Sequence, residues 1–386
     1  MNRQTACRVC QAPALEELHE LVPLGRVTSD CRPWPAGGHL AACTACGLLQ
    51  KPHEPDWEAD CHAIYAGYEL YPQAAGVEQA VYEPGSGMPA TRSARLLDQI
   101  ATFSPLPEAG RLLDVGCGNG GFLRAFHARA PGWRLNGTDL HGRYRKDVEA
   151  IGGVEGFHQL EPEVVPGEFD WIVLLHVLEH IPSPIEFLER LRTKLRPGGR
   201  LVIEVPDHRS WPFDLAIADH ASHFSAETLR ALLVRAGYSL QALASDWVPK
   251  ELTALAIDRA GAAAEPVNVD VRATLRGARS ALKWLTASAN EVRSLLTSTR
   301  SISVFGSSIG ATWLAAQFER RVICFIDEDP SRAGRSHMGV PILTPDHAPI
   351  DVPLYLALPP FQAQDVQQRL KAHRGELRTV LPPVID

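Results

Sequence analysis

The sequence contains no run of 18 apolar residues and no block of clustered lysine or arginine. The first absence excludes an ordinary membrane-spanning helix. The opening residues MNRQTACRVC also lack the apolar stretch of a secretory leader, so a soluble, cytoplasmic protein is expected. The net charge of −7 argues against nucleic acid or an anionic membrane as the main partner. Eight cysteines in a cytoplasmic chain, several of them spaced in pairs, point to metal rather than to disulfides. What the chain does have is length: 386 residues, 45% of them hydrophobic, are enough for two or three domains with real cores.

Cys7-x-x-Cys10 and Cys43-x-x-Cys46 form two knuckles separated by a Pro/Gly-rich stretch. Two such turns supply the four thiolates of a closed, structural zinc site without needing a large core. Cys31, Cys61 and His39 are spare candidates, and Cys31 lies between the knuckles. A zinc ribbon can also read nucleic acid. However, residues 1–60 hold five Lys/Arg (3, 8, 26, 32, 51) against eight Asp/Glu (16, 17, 20, 30, 54, 56, 58, 60), the wrong balance for phosphate contacts. Tyr65, Tyr68, Tyr71 and Tyr82 follow, before the breaker run EPGSGMP; interdomain packing is the expected role, with a lid as the alternative.

The chain is organised around Arg111–Phe126, RLLDVGCGNGGFLRAF. An apolar run meets Gly116, Gly118 and Gly120, and then a helical pattern opens. That is a strand, a tight turn and a helix N-terminus, which a ligand can approach closely. Gly116, Gly118 and Gly121 also fit the dinucleotide fingerprint, so a nicotinamide-dependent oxidoreductase is one reading. Asp114 within D-x-G-x-G-x-G resembles motif I of the class I S-adenosylmethionine (SAM) methyltransferases. That resemblance implies that the strand-end acid helps hold the amino acid end of SAM. Asp139, at the end of the next strand (134–138), can accept both ribose hydroxyls in either reading. Helices and strands then alternate as in an open α/β sheet: a helix over Thr91–Phe103, strands over Asp170–Leu175 and Leu201–Val205, a helix over Ile185–Leu195, and late strands over Ser239–Ala244 and Leu252–Ile257.

His176-Val-Leu-Glu179-His180 spells the inverted zinc-protease string. It directly follows a buried strand, with Pro182 and Pro184 close behind, and HVLEHI(P) after the fourth strand is a recurring form in SAM methyltransferases. The strand end then puts His176 near the cofactor and His180 toward the substrate mouth. Asp219, His220 and His223 precede a helix whose expected N-cap is Ser225, and they can supply a general base. His220 is the first choice, with Asp219 orienting its ring, and His180 the second. The alternative is a helix entry with hydrogen-bonded histidines. Beyond an Ala/Arg-rich helical connector, Ser301–Ser307, a turn at Gly306–Gly310 and Asp327 suggest a weaker nucleotide-type unit, expected to contact sugar or nucleotide rather than bind NAD.

In this order CRVC…CTACGLLQ, LLDVGCGNG, HVLEHIPSP, DHASHFS and VFGSS…FIDEDPSRAGRSHMGVPILTP resemble the bacterial sugar C-methyltransferases. The resemblance implies a zinc-binding domain with a tyrosine-rich connector (1–75), a Rossmann-like SAM domain (76–260), a helical linker (261–298) and a smaller Rossmann-like α/β domain (299–386). It implies structural zinc, SAM as cofactor, and a nucleotide-linked deoxy-keto-sugar methylated on the carbon beside its carbonyl. His180 and His220 match family active-site histidines. Asp219 stands where the family has glutamate, and Ile217 where it has tyrosine. Methylation at oxygen is therefore the alternative, with a non-catalytic binding module beside it.

Overall fold

A computed structural model describes residues 6–70, 72–74, 76–78, 80–82, 89–259, 261 and 267–385. Tyr71 and residues 83–88 of the breaker run lie outside them, as do residues 262–266 and the Tyr82 side chain.

Seven strands form the central sheet in the order Val154–His158, Arg134–Thr138, Arg111–Val115, Phe169–Leu175, Leu195–Pro206, Glu251–Asp258, Tyr238–Ala244. The first five are parallel, and Glu251–Asp258 runs antiparallel to both its neighbours. The central strands are apolar on both sides because both faces are covered. Phe126, Trp133 and Trp171 fill one face, and Leu113, Ile172 and Leu229 the other. Strand order reverses between Arg111–Val115 and Phe169–Leu175, so the crevice for a ligand opens at their carboxyl ends. Asp114, the glycine turn and His176 all lie at those ends.

Local chemistry sets the helices. Thr91 Oγ1 accepts from the Ala94 N–H (3.2 Å) and starts Arg92–Phe103. Ser225 and Thr228 form a reciprocal capping box at the head of Ala226–Arg235. The expected helix Ile185–Leu195 ends at Arg192, because Leu195 already belongs to the long fifth strand. The RPGGR stretch lies inside that strand, where the register against Phe169–Leu175 shifts.

The cysteine-bearing segment is joined to the sheet domain. Its strands Leu15–Glu17, Ala41–Cys43 and Leu49–Gln50 form a four-stranded sheet completed by Ser222–His223 from mid-chain. A 28-residue helix, Val271–Ser298, leads to a six-stranded C-terminal sheet in which Ile342, Phe325, Val304 and Tyr355 lie on parallel central strands. One core cluster holds Leu18 and Leu49 together with Phe213, Trp284, Trp313 and Tyr355. The expected boundaries near 75, 260 and 298 therefore mark changes of element pattern, while the core runs across them. No helix among the described residues is long and apolar enough to cross a membrane.

Candidate active site

A cavity of about 1110 Å³ opens where three parts of the chain meet. Ser29, Trp57 and Tyr65 come from the N-terminal part. The central domain contributes Asp114, Asp139, His176, His180 and His220, and the C-terminal part Ser308, Ile309 and Arg332.

At one end stands the glycine turn. Gly116, Gly118 and Gly120 have φ of 71°, 51° and 80°, a region that side chains disfavour. The close approach expected from a ligand is made here by the protein itself. A Cβ on Gly116 would sit 2.5 Å from Val177 Cγ2, and one on Gly118 3.0 Å from Leu70 Cδ2. Asp114 is 2% exposed and accepts no hydrogen bond from the described residues. Burial, with Asp139 and Glu78 nearby, raises its carboxyl well above the usual range. Asp139, half-buried, accepts from the N–H groups of Gly118 (3.1 Å) and His141 (2.9 Å). A buried acid on the cavity wall suits a cationic amino group, whose charge would hold it ionised, and the second acid retains lone pairs for a diol. His176 is held in the left-handed region (φ 55°). Its Nε2 is 2.6 Å from Arg92 Nη1 and its Nδ1 3.2 Å from Glu179, with Glu204 and Glu251 at 3.5 and 3.7 Å. Its ring is thus engaged by protein groups while the residue lines the cavity.

The other end holds the histidines. His220 Nδ1 lies 2.7 Å from Asp214 Oδ1, and His223 Nδ1 lies 2.7 Å from Asp214 Oδ2. Against the cost of burial, the two imidazoles hold the Asp214 carboxyl far below the usual range. An ionised carboxylate only accepts, so both Nδ1 atoms carry protons and His220 is left with Nε2 as its free base. Burial presses His220's basicity down, but the bond to Asp214 outweighs it and raises it. His223 is pushed down to about 4 by burial, and its Nε2 is enclosed without a partner.

Asp219 does not orient His220, contrary to the expectation from sequence. Its carboxylate accepts from the Ser29 N–H (2.9 Å) and hydroxyl (2.5 Å) and stands 3.5 Å from His180 Nδ1. A rigid turn aims adjacent side chains apart, whereas Asp214, six residues upstream in the turn Pro212–Ala216, folds back beneath the ring. Asp214 was missed; the PFD acid preceding DHASH was its only signal. His180 Nδ1 also faces the Asp219 carbonyl (3.1 Å) and the Tyr65 hydroxyl (3.0 Å). Tyr65 therefore brings a phenol to the histidines, although Ile217 stands at the expected tyrosine position. The rings of His180 and His220 are perpendicular, 4.7 Å apart.

The four knuckle cysteines converge. Cys7 Sγ is 3.4 Å from Cys46 Sγ, Cys10 Sγ is 3.4 Å from Cys43 Sγ, and all four sulfurs lie within 4.8 Å of one another. A tetrahedral zinc–thiolate site has sulfurs about 3.8 Å apart, so the donor set fits. The N–H groups of Val9, Cys10 and Ala45 point at these sulfurs (3.4 Å). Cys31 and Cys61 line the cavity instead, and His39 pairs with Glu17.

Residues 88–243 match the family model described as a methyltransferase domain. The middle of the chain is a class I SAM-dependent methyltransferase domain. Among curated relatives, a ubiquinone biosynthesis O-methyltransferase of Xanthomonas campestris is 33% identical over 130 residues, 31% of this chain and 53% of the relative. A tRNA U34 carboxymethyltransferase of Chromohalobacter salexigens is 38% identical over 121 residues, 26% of this chain and 33% of that protein. The chain spans about half the length of the O-methyltransferases it matches. The solved mitomycin 7-O-methyltransferase superposes with a TM-score of 0.37 at 17% identity, covering 43% of this chain and 53% of that one. That likeness carries no argument about substrate. In this chain the methyltransferase domain presents Asp114, Asp139, His180 and His220 to one space.

Proposed function

We propose that the chain transfers a methyl group from SAM to a small-molecule acceptor, a nucleotide-linked deoxy-keto-sugar methylated on the carbon beside its carbonyl. The observation that carries this reading is His220, fixed by Asp214 through Nδ1 with Nε2 left as the base, in one cavity with the buried acid Asp114. SAM, when bound, supplies an electrophilic methyl group. Asp114 would hold its amino group and Asp139 its ribose hydroxyls, beside the Gly116–Gly120 turn that lines the same cavity. His220 Nε2 takes the proton from the carbon acidified by the carbonyl, and Asp214 stabilises the imidazolium that results. His180, its Nδ1 occupied by protein, offers a hydrogen bond to the developing oxyanion or serves as the base in its place. Asp219 positions His180. Lys250 Nζ stands 5.4 Å over the Trp211 ring, and both line the cavity, an arrangement that supports a sugar ring carrying phosphate.

Methylation of a hydroxyl is the second reading, favoured by relatives named as O-methyltransferases. Solvent deuterium exchange at the sugar carbon, with S-adenosylhomocysteine replacing SAM, separates the two. Exchange in the wild type that vanishes in His220→Ala supports carbon methylation with this base, and exchange surviving in the mutant moves the role to His180. No exchange, with product methylated on oxygen, sinks the carbon reading. NADH binding without SAM binding would replace both by an oxidoreductase.

We also infer one structural zinc per chain at Cys7, Cys10, Cys43 and Cys46, closed to solvent chemistry because four thiolates leave no open position. Elemental analysis should find about one zinc, lost in Cys43→Ser with Cys46→Ser. Metal-free wild type, or unchanged content in the mutant, removes the site.

A further inference from the structure

Glu179 has no role in the reaction as described, yet its surroundings are unusual. The residue is 1% exposed, and among the described residues both carboxylate oxygens are enclosed without a hydrogen bond. Among the described residues its ion-pair neighbour is His176 Nδ1 at 3.2 Å. A carboxylate oxygen of Glu179 and one ring nitrogen each of His180 and His220 lie within 4.8 Å of one another. The turn that carries it, Leu178–His180, is tied to the histidine-bearing segment by the Ala221 N–H, which donates to the Glu179 carbonyl at 2.7 Å. A buried carboxylate left unbonded costs free energy, and folds keep such groups where charge is needed.

We propose that Glu179 is a positioning residue for the proton acceptor: its fixed negative charge stabilises the imidazolium formed when His220 takes the acceptor's proton. The inference rests on the proposed methyl transfer. His220 is then supported from two sides. Asp214 bonds its Nδ1 and sets the tautomer, while Glu179 acts through space on the pair His180–His220, where field rather than hydrogen bonding is the currency. The charge is available because, against the cost of burial, His176, His180 and His220 hold the Glu179 carboxyl below its usual range. Other charged or titratable groups around this spot are Asp219 and Asp214 from the histidine segment, Tyr65 from the helix Pro55–Ala66, and Arg92, Glu204 and Glu251 around His176. Arg92 and the two glutamates gather on the far side, at His176. Glu179 is thus the acid between His176 and the pair His180–His220.

The test compares wild type with Glu179→Gln, which keeps shape and removes charge, and Glu179→Asp, which keeps charge. NMR titration of the full-length chain, with the His220 resonance assigned by its loss in His220→Gln, reads the effect without any substrate. In Glu179→Gln the His220 midpoint falls by about one pH unit, since removing a nearby anion disfavours the cation. The acid limb of kcat/KM moves down with it, kcat falls by about tenfold, and S-adenosylhomocysteine affinity stays within about twofold of wild type. Glu179→Asp restores the midpoint to within a few tenths. An unchanged His220 midpoint in a folded Glu179→Gln that still binds S-adenosylhomocysteine overturns the proposal. So does manganese or zinc binding that persists in the Cys43→Ser, Cys46→Ser protein and is lost in Glu179→Gln, for then the three side chains form a metal centre. Failure to methylate any acceptor would defeat the functional reading, while the titration would still report on Glu179.

Discussion

The strands Arg111–Val115 and Ile302–Phe305 each run into a left-handed glycine, Gly116 and Gly306, and then a helix. Each is followed by a parallel strand with an aspartate just past its end, Asp139 and Asp327. Their chemistry differs. In the central unit, among the described residues, no donor bonds the Asp114 carboxyl and Asp139 accepts from the backbone N–H groups of Gly118 and His141, so acceptor capacity faces the cavity. In the C-terminal unit the position corresponding to Asp114 is Val304, inside the core. Asp327 accepts from the Ser307 hydroxyl (2.7 Å), the Arg332 guanidinium (3.1 Å) and the Asp329 N–H (3.0 Å). The nucleotide contact expected at that strand end is therefore taken up internally, and the unit reaches the shared cavity through Ser308, Ile309 and Arg332. A strand–glycine–helix pattern specifies a topology. Whether it receives a ligand depends on what already satisfies its carboxylates.

The largest effect should come from the open unit's chemistry. His220→Ala should retain SAM affinity and lower turnover by at least about 10², the lower end of what a positioned base provides. A turnover loss below tenfold would remove His220 from the base role. Next, Asp327→Ala should leave the buried Arg332 without its main counter-charge and lower stability by about 3–5 kcal/mol. SAM affinity should be unchanged, and denaturant melts with calorimetry separate the two quantities. A drop in SAM affinity without a loss of stability would erase the contrast between the units. Asp139→Ala should do the opposite, costing about 1–3 kcal/mol of SAM and S-adenosylhomocysteine affinity with little change in unfolding midpoint.

The smallest effect is on pH dependence. Burial pushes His208 and His223 of the central domain, and His337 of the C-terminal unit, down to about 4. Their folded values lie below the unfolded value near 6.5, so the unfolded chain binds more protons between these limits. Stability from these groups is present above about pH 6.5 and is lost on acidification toward about 4. Each should contribute about 1 kcal/mol of loss by pH 5.5. His220, raised in the fold, opposes them with the reverse sign. His223→Gln and His337→Gln should each flatten the acid side of the stability profile. A profile unchanged in both would show that these rings are not held neutral.

Much of this molecule was legible in its sequence, because the signals concerned are local. Apolar runs ending in Asp114 and Asp139, glycines at odd spacing and the Ser225 cap depend on backbone conformation and short-range hydrogen bonds, which neighbouring residues determine. The two CxxC turns are local in the same way, and the fold had only to bring them together. What the tertiary structure alone decided is partnership across long separations. Asp214 rather than Asp219 meets His220, because side chains of adjacent residues diverge while a turn can return an acid from six positions upstream. Tyr65 reaches His180 across 115 residues, and Ser222–His223 completes the N-terminal sheet beside Leu49–Gln50. Which carboxylates stay open, at Asp114, and which are consumed, at Asp327, depends on groups that no pattern places side by side. Burial is a property of the packed whole, and it sets both the charge state of these groups and what they can bind.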